Sequence, residues 1–437
     1  MKIHFVNFCE ICSANSSCMA ALGSDAPFHV RHLTRLKQLP GQTCPRRAED
    51  SFFREGIPTT SAERHEARYR RRAAAREAKK RERNAEHDSF DRVFSYGNLY
   101  KAYQQCRKGV AWKASVQKYI SNAPLNVRKT EKLLQSGKFK SSGFMEFDLV
   151  ERGKKRHIKS VHISERVVQR CLCDNALVPV LQRTFIHDNG ACMKNKGYTF
   201  AVSRIEKHLR QHYRKHGTEG YILLFDFSKF FDNVNHAVIK GILRREFTDE
   251  RILKLTEHFI DVFGEKGLGL GSQISQILAL ASANRLDHYI KEQCRIKGYG
   301  RYNDDGYLIH RSKAYLKRCL RAIGMICRML GITLNTKKTQ IVKLSHGFTF
   351  LKVRFFLLPS GRIVKKLSRT NIVRMRRKLK AYVRLLEDKK MTFEDLYTSW
   401  QSWKAYAARF DAWHAIRNAR QIYFRQFIFP RRIHPPV

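Results

Sequence analysis

The sequence predicts an α+β fold, in which strand pairs and helices occur without regular alternation. Residues 143–163 alternate apolar and polar side chains, as the two strands of a hairpin do. Residues 221–227, YILLFDF, form a short and almost wholly apolar run that is typical of a buried strand. Most of the remaining chain after about residue 92 has helical patterns that do not alternate one for one with strands, which favours α+β over a parallel α/β fold.

The predicted elements follow one another in a defined order. They are helices over 96–135, a strand pair turning at Arg152 and Gly153, helices over 164–182 and 199–215, the strand 221–227, helices over about 234–246 and 275–293, a strand pair over 299–310, a helix ending near 330, a strand pair turning at Pro359, Ser360 and Gly361, and helices from about 368 onward. Thr392 and Asp395 are expected to cap the N-terminus of one of the last helices.

Composition indicates the class of partner. The 437 residues are 43% hydrophobic, enough for a sizeable core and more than one domain. The formal net charge is +47, which predicts a nucleic-acid partner because Lys and Arg displace counterions condensed on phosphates. An anionic membrane surface is the rival, but no apolar run is long enough to span a bilayer, so no membrane partner is expected. Eleven cysteines without a secretory signal predict reduced thiols and a cytoplasmic protein.

The N-terminal part is expected to be poorly ordered apart from one basic helix. Residues 62–88 are rich in Ala, Arg, Lys and Glu and lack an apolar stripe. They predict either a solvated linker helix or a cationic arm lying on RNA. Cys9 and Cys12, followed by His29 and His32, have loosely zinc-like spacing, although a disordered extension is the favoured interpretation.

Three aspartates carry the predicted chemistry. Asp226 interrupts the apolar strand, and a buried carboxylate needs either a cationic side chain or a metal ion as its partner. Asp304 and Asp305 lie together in a strand pair, where an ordinary solvated Asp-Gly turn is the alternative. Taken together, the three predict carboxylates converging on one sheet edge, a ligand set that suits Mg²⁺. Two such ions about 4 Å apart can activate a 3′-hydroxyl and stabilise a leaving pyrophosphate.

A glycine-rich segment lies between the two acidic sites. Residues 267–276, GLGLGSQISQ, combine three glycines that let backbone approach a flat ligand with Ser275 and Gln276 at the start of the next helix. By itself the segment predicts only a turn.

In their order along the chain these segments resemble a known family. The segments are RGKKRHIKSVHISERVVQ, ACMKNKG, DFSKFFD, LGSQISQ, YNDD, LNTKKT and FLKVRF. They resemble the fingers and palm of bacterial reverse transcriptases, the group of group II intron, retron, diversity-generating and defence-associated enzymes. The resemblance implies a right-hand polymerase. Its expected parts are an N-terminal extension over 1–91, fingers over 92–220, a palm with an antiparallel sheet over 221–356 and a helical thumb over 357–437.

The resemblance also implies roles for individual residues. Asp226 and Asp304 would be the principal ligands of two Mg²⁺ ions, with Asp305 in support and the Phe227 carbonyl facing a metal. Phe231 would lie under the incoming sugar and exclude a 2′-hydroxyl. The residues expected to bind the nucleotide are Lys154, Arg156, Phe231, Gln276 and Lys338, and those expected to contact nucleic acid are Lys194, Lys196 and Lys352. Each lysine could instead belong to a solvated basic face, and Lys337 competes with Lys338.

The sequence departs from the usual motifs of this family at two places, and the first of these favours particular subgroups of it. Leu270-Gly271 followed by Ser275-Gln276 is the form found in diversity-generating and some defence-associated enzymes, and Lys352 stands where glycine is usual. The predicted activity is RNA-directed DNA polymerisation, copying an RNA template from a DNA or RNA primer with deoxynucleoside triphosphates, most closely as in a diversity-generating retroelement. A structured non-coding RNA and a small accessory protein are further expected partners. The alternatives are an antiphage defence enzyme and a non-catalytic RNA-binding protein on a polymerase scaffold.

Overall fold

The computed structural model describes residues 60–151 and 153–428, with only the backbone described for Glu151 and Lys154. The predicted zinc-like cysteines, Cys9 and Cys12, and the turn residue Arg152 lie outside the described residues. By their contacts the described residues form two units, one ending at Ala85 and one beginning at Glu86. Each unit is treated by itself below.

The first unit contains one long basic helix, α1 (Ser61–Asn84). Its N-terminus is closed by a capping box, in which the Glu63 amide donates to the Thr60 hydroxyl at 3.1 Å and the Thr60 amide donates to the Glu63 carboxylate at 3.1 Å. Ion pairs at helical spacing, such as Arg70 with Glu66 at 3.1 Å, run along its exposed surface. The predicted basic helix is therefore confirmed, and capping and charge pairs stabilise it in place of an apolar face.

The second unit begins with a helical layer interrupted by a two-stranded hairpin. Its helices are α2 (Phe90–Val93), α3 (Tyr96–Cys106), α4 (Ala114–Ile120), α5 (Ala123–Gln135), α6 (Ile163–Leu172), α7 (Val178–Leu181) and α8 (Tyr198–His216). The hairpin is formed by β1 (Phe144–Glu151) and β2 (Lys154–Val161), which pair antiparallel. The predicted strand pair is confirmed by this pairing, and the hairpin leaves both polar side chains such as Glu146 and apolar ones such as Met145 exposed.

A four-stranded antiparallel sheet forms the centre of the second unit. Its strands lie in the order β4 (Tyr299–Tyr302), β5 (Asp305–His310), β3 (Tyr221–Asp226) and β6 (Gln340–Lys343). Alternate residues of β3 enter two different cores: Ile222 and Leu224 pack with α8, and Leu223 packs with the other helices. Since both faces are covered, β3 is apolar along its whole length up to Asp226.

The helices around this sheet include one that was not predicted. They are α9 (His236–Glu246), α10 (Glu250–Asp261), α11 (Gln273–Ser282), α12 (Asn284–His288), a π-helical turn over Tyr289–Gln293, and α13 (Lys313–Met329). The unpredicted helix is α10. Asp249 caps its N-terminus, since the Asp249 carboxylate accepts from the Arg251 and Ile252 amides at 2.8 and 3.3 Å. α11 is buried on nearly all sides, which explains its almost continuous apolar sequence.

The C-terminal part contains a three-stranded sheet and three helices. The strands β7 (Phe348–Phe350), β8 (Val353–Leu357) and β9 (Ile363–Leu367) pair antiparallel in that order. One strand pair was predicted here, and the additional turn is formed by Leu351 and Lys352, both with positive φ (48° and 65°). A two-residue turn of this kind normally favours Asn or Gly, so the sequence carried no signal for it.

The last helices are α14 (Arg369–Glu387), α15 (Phe393–Ala407) and α16 (Trp413–Tyr423), continued by a π-helical turn over Phe424–Ile428. The predicted cap is confirmed, since the Asp395 amide donates to the Thr392 hydroxyl at 3.1 Å. In the described part of the chain, no helix combines the length and apolarity needed to cross a bilayer. Antiparallel sheets with separate groups of helices confirm the predicted α+β class.

Candidate active site

The structure brings Asp226, Asp304 and Asp305 together at one end of the central sheet. Asp226 ends β3 and is paired directly with Asp305 at the start of β5, so their side chains project from the same face. Asp304 lies in the two-residue turn before β5, and its carbonyl accepts a hydrogen bond from the Phe227 amide at 3.2 Å. The convergence of three carboxylates predicted from the sequence is therefore observed.

The three carboxylates carry more negative charge than their surroundings balance. Burial, together with repulsion from Asp304 and Asp226, raises the pKa of Asp305 to about 7. Burial likewise raises the pKa of Asp304, and the charge of Asp226 adds to the effect. Two carboxylates this close cannot both ionise cheaply unless a cation joins them.

Among the described residues, Lys338 is the cation that bonds directly to Asp226. The Lys338 ammonium donates to Asp226 Oδ2 at 2.9 Å, and Asn335 Nδ2 donates to the same oxygen at 3.0 Å. Asp226 itself is 4% exposed, whereas the Lys338 side chain is 59% exposed. The cationic partner that was one alternative for Asp226 is therefore present, but it is a solvent-facing lysine rather than a buried one.

The donor set fits a divalent cation, although its side chains are not arranged around one. Within residues 60–151 and 153–428, no group of three or more His, Cys, Asp or Glu side chains is arranged to hold a metal ion. Lys338 and Asn335 bond to one oxygen of Asp226 in its place. Ionised carboxylates are hard oxygen ligands, which match Mg²⁺ or a similar ion.

A buried ion pair beneath the turn was missed in the sequence. Arg301 and Asp287 are both fully buried and are 2.6 Å apart, and the Tyr299 hydroxyl donates to the same carboxylate at 2.5 Å. Arg301 also donates to the carbonyl of Asn303, the residue before Asp304, at 2.8 Å. The guanidinium thus ties the acidic turn to α12, and no local sequence signal links residues 14 positions apart in this way.

A glycine holds the strand next to the acidic turn close to β3. Gly306 pairs with Phe225, and a Cβ atom at Gly306 would lie 2.1 Å from the Phe225 ring. A side chain here would push β5 away from β3 and separate Asp305 from Asp226. The glycine in YNDDG therefore serves strand packing, while Asn303 (φ 53°) and Asp304 form the turn.

The glycine-rich segment lies beside Phe231. The Gly267 amide donates to the Val234 carbonyl and the Leu268 amide to the Phe231 carbonyl, both at 2.8 Å. A Cβ atom at Gly267 would lie 2.6 Å from the Asp232 carbonyl oxygen. Phe231 is partly buried and packs edge-on against Phe230.

The other predicted nucleotide-binding residues lie on the hairpin and on α11. Arg156 is exposed on β2, the strand that begins at Lys154. Gln276 is half-buried on α11. A Cβ atom at Gly271 would lie 3.6 Å from Ile158, so the hairpin and the glycine-rich segment are neighbours.

The residues predicted to contact nucleic acid differ in their surroundings. Lys194 is exposed, whereas Lys196 is half-buried and its ammonium donates to the His187 carbonyl at 2.9 Å. Lys352 lies in the strained turn between β7 and β8. The internal bond of Lys196 makes it a less accessible phosphate contact than the motif implies.

A second buried acidic site, Asp188 with its cationic partners, lies beside β4 and was not predicted from the sequence. Asp188 accepts from Lys291 at 2.7 Å and from the Arg204 Nε at 2.5 Å. Burial alone would raise the pKa of Asp188, but these two cations lower it to about 2. The backbone beside it pairs with Arg301, because the Arg301 amide donates to the Asp188 carbonyl at 3.1 Å.

Comparison with known proteins gives one curated relative and several solved structures. Protein YkfC of Escherichia coli (strain K12) is 24% identical over 269 residues, which cover 51% of this chain and 67% of that protein. Apo telomerase from Candida tropicalis is similar at 14% identity and a TM-score of 0.42, over 70% of this chain and 64% of that one. Telomerase from Candida albicans in complex with a TWJ fragment of telomeric RNA is similar at 10% identity and a TM-score of 0.41, over 70% and 65% of the two chains. The chain thus spans less than two thirds of these structures, and similarities with TM-scores below 0.5 support no further conclusion.

The family comparison is more specific. Residues 113–355 match the family described as reverse transcriptase (RNA-dependent DNA polymerase). The match includes the hairpin, the three aspartates, the glycine-rich segment and Lys338. Because it covers more than half of the chain, the protein belongs to the reverse transcriptase family, the RNA-directed DNA polymerases that its motifs predict.

Proposed function

We propose that this protein copies an RNA template into complementary DNA by extending a 3′-hydroxyl with deoxynucleotides. One observation carries the proposal: Asp226 and Asp305 are paired across β3 and β5 with Asp304 in the adjoining turn, in a site whose negative charge is not balanced by the protein. A structural carboxylate would be expected to have more than one cation bonded to it, as Asp188 has in Arg204 and Lys291.

The proposed cofactor is a pair of Mg²⁺ ions held by Asp226, Asp304 and Asp305, with the Phe227 carbonyl as a further oxygen. When bound, such ions supply charge neutralisation and activation of the attacking hydroxyl. The protein itself positions the carboxylates through the paired strands and excludes water from Asp226. Lys338, which lies within hydrogen-bonding distance of Asp226, is proposed to face the triphosphate, together with Lys154, Arg156 and Gln276.

The proposed partners are an RNA template, a DNA or RNA primer and deoxynucleoside triphosphates. We divide the chain for this function into fingers over 92–220, a palm over 221–356 and a thumb over 357–437, with α1 as a cationic arm for RNA. Lys194 and Lys352 are proposed to contact the backbone of the nucleic acid. Lys196 is a weaker candidate because of its bond to His187.

The proposed biological setting is a diversity-generating retroelement, with an accessory protein and a structured RNA as partners. Its support is the motif form Leu270-Gly271 followed by Ser275-Gln276. An antiphage defence enzyme is the second candidate on the same motif. The neighbouring genes discriminate between them, since a template repeat beside a variable-protein gene supports the first and an isolated defence cassette the second.

Primer extension on poly(rA)/oligo(dT) tests the activity. The purified chain is expected to incorporate dTTP with Mg²⁺ and to stop when EDTA is added. Asp226→Asn should lower the rate by on the order of 10³-fold or more, because it removes a charged ligand from the reacting site. Asp261→Asn is the matched control, since Asp261 is a half-exposed carboxylate on α10 that pairs with Lys240.

A different outcome would favour the non-catalytic alternative. A purified, folded chain that binds RNA but incorporates no nucleotide with Mg²⁺ or Mn²⁺ would identify an RNA-binding protein on a polymerase scaffold. Equal activity of Asp226→Asn and the wild type would remove the proposed metal site.

The proposed sugar selection by Phe231 is tested separately. Phe231→Ala should raise the use of ribonucleotides relative to deoxynucleotides, because the ring would no longer occupy the space of a 2′-hydroxyl. Phe230→Leu, next to it in the core, is the control for loss of packing. An unchanged sugar preference would remove this assignment.

A further inference from the structure

A groove of about 340 Å³ lies between two helices of the proposed thumb, and no predicted active-site residue lines it. One wall is formed by α15, through Phe393, Tyr397 and Lys404. These positions are four and seven residues apart, so they share one face of the helix. The other wall is formed by α16, through Arg420 and the residues after it.

The rim of the groove carries aromatic rings that face solvent. Phe393 is 49% exposed and Tyr397 is 50% exposed. Large apolar side chains exposed next to one another indicate an interaction surface more often than isolated ones do. Because both rings stand at the rim rather than in the core, the fold does not require them for its packing.

The floor of the groove is rigid and aromatic. Trp400 and Tyr423 are both buried, and their rings are stacked with centroids 5.2 Å apart and an interplanar angle of 15°. Both belong to the core of the helical bundle, together with Leu379. The groove is therefore formed in the absence of any ligand, which lowers the entropy cost of binding.

The charge of the groove is positive. Lys404 and Arg420 stand on opposite walls, and in the part of the chain described here neither forms an ion pair and no acidic side chain lines the groove. The groove therefore offers two kinds of contact, its aromatic rings and its cations. A chain of bases joined by phosphates uses both.

We infer that this groove binds unpaired bases of single-stranded RNA, as a contact site additional to the polymerase site. The exposed rings of Phe393 and Tyr397 stack on bases, and Lys404 and Arg420 contact the phosphates between them. Such a site holds RNA through its bases but without reading a base sequence, since every base offers a flat face. The inference rests on the proposed function only in taking RNA as the partner.

Binding of labelled RNA, measured by fluorescence anisotropy on the full chain without nucleotides, tests the inference. Two probes are compared, a short oligo(U) and an abasic oligonucleotide of equal length, at a salt concentration that suppresses non-specific phosphate contacts. The wild type is expected to prefer oligo(U). The double variant Phe393→Ala/Tyr397→Ala should lose at least about five-fold of that preference and bind abasic RNA as the wild type does.

Two further variants separate stacking from folding. Tyr397→Phe keeps the ring and should keep the preference for bases. Trp413→Ala removes an aromatic ring that is 63% exposed on α16 but does not line the groove, and it should also keep the preference. Primer extension on a preannealed template reports the polymerase site independently, so a failure of this inference would leave the proposed function intact.

Three results would overturn the inference. The first is an equal preference for bases in the double variant and the wild type. The second is an equal loss with Trp413→Ala, which would indicate a general surface effect. The third is a rise in oligo(U) affinity on deletion of residues 429–437 with no effect of the double variant in the full chain, which would identify those residues as the occupant of the groove.

Discussion

Two buried acidic sites at the central sheet differ in how their charge is balanced. At the end of β3 and β5, Asp305 has a pKa raised to about 7 by burial and by its acidic neighbours. Beside β4, the pKa of Asp188 is lowered to about 2, although burial alone would raise it, because Lys291 and Arg204 bond to it. The fold can therefore neutralise a buried carboxylate with its own cations, and it leaves the charge unbalanced where a cation from solution would act.

The largest expected effect on stability concerns the most completely paired carboxylate, Asp287. Asp287→Ala leaves the Arg301 guanidinium fully buried without its partner, so we expect a loss of about 3–5 kcal/mol in the free energy of unfolding. Urea unfolding at neutral pH measures it, with the exposed Asp261→Ala as the control. A loss below about 1 kcal/mol would show that the pair is not structural.

Asp188→Asn is expected to lower the free energy of unfolding by about 2–3 kcal/mol, less than Asp287→Ala does. The reason is that Lys291 and Arg204 are partly exposed and can be hydrated when their partner is removed. The cost depends on pH. A carboxyl whose pKa is lowered on folding stabilises the protein above about pH 4, and this contribution is lost as the pH falls towards 2. Urea unfolding of the variant and the wild type should therefore converge as the pH is lowered from about 6 to 3, and a constant difference would contradict the assignment.

Asp305→Asn is expected to stabilise the protein, in contrast to the two substitutions above. Without divalent metal at about pH 8, removing this charge should raise the free energy of unfolding by about 1–3 kcal/mol, because repulsion from Asp304 and Asp226 is relieved. The gain should shrink as the pH falls below about 7, where wild-type Asp305 takes up a proton and becomes neutral. Thermal unfolding in EDTA across this pH range measures it, and a destabilised variant at pH 8 would show that the site is balanced after all.

The smallest effect is expected for Lys338→Gln. The charge of Lys338 lowers the pKa of Asp305, so its removal should raise that pKa further. We expect the acidic limb of the pH profile of primer extension to move to higher pH by less than about one unit. Lys338→Arg keeps the charge and should leave the limb in place. A shift of the limb to lower pH in Lys338→Gln would contradict the proposed electrostatics.

The acidic site was predictable because its elements are local and chemically unusual. Asp226 ends an apolar strand, and Asp304 and Asp305 follow a short strand, so pattern and motif both indicate them. The helix α1 was predictable for the same reason, since its composition and its Thr60 to Glu63 spacing act within the segment itself.

The buried ion pairs that pack around the acidic site were not predictable in this way. Arg301 with Asp287, and Asp188 with Arg204, are pairs that tertiary packing creates, and either residue alone is compatible with an exposed position. The strand β6 is short and partly exposed, so its four residues carried too little periodicity to be recognised. The helix α10 did carry a signal, an Asp249 cap before an amphipathic run, that was overlooked.

The length of α1 has a consequence for how a duplex would be held. A helix of 24 residues extends about 36 Å, and it displays ten lysines and arginines along that distance. A shorter duplex cannot engage all of them at once. If α1 binds RNA as proposed, the affinity of the protein for a double-stranded stem should increase with stem length up to about the length of the helix and then level off.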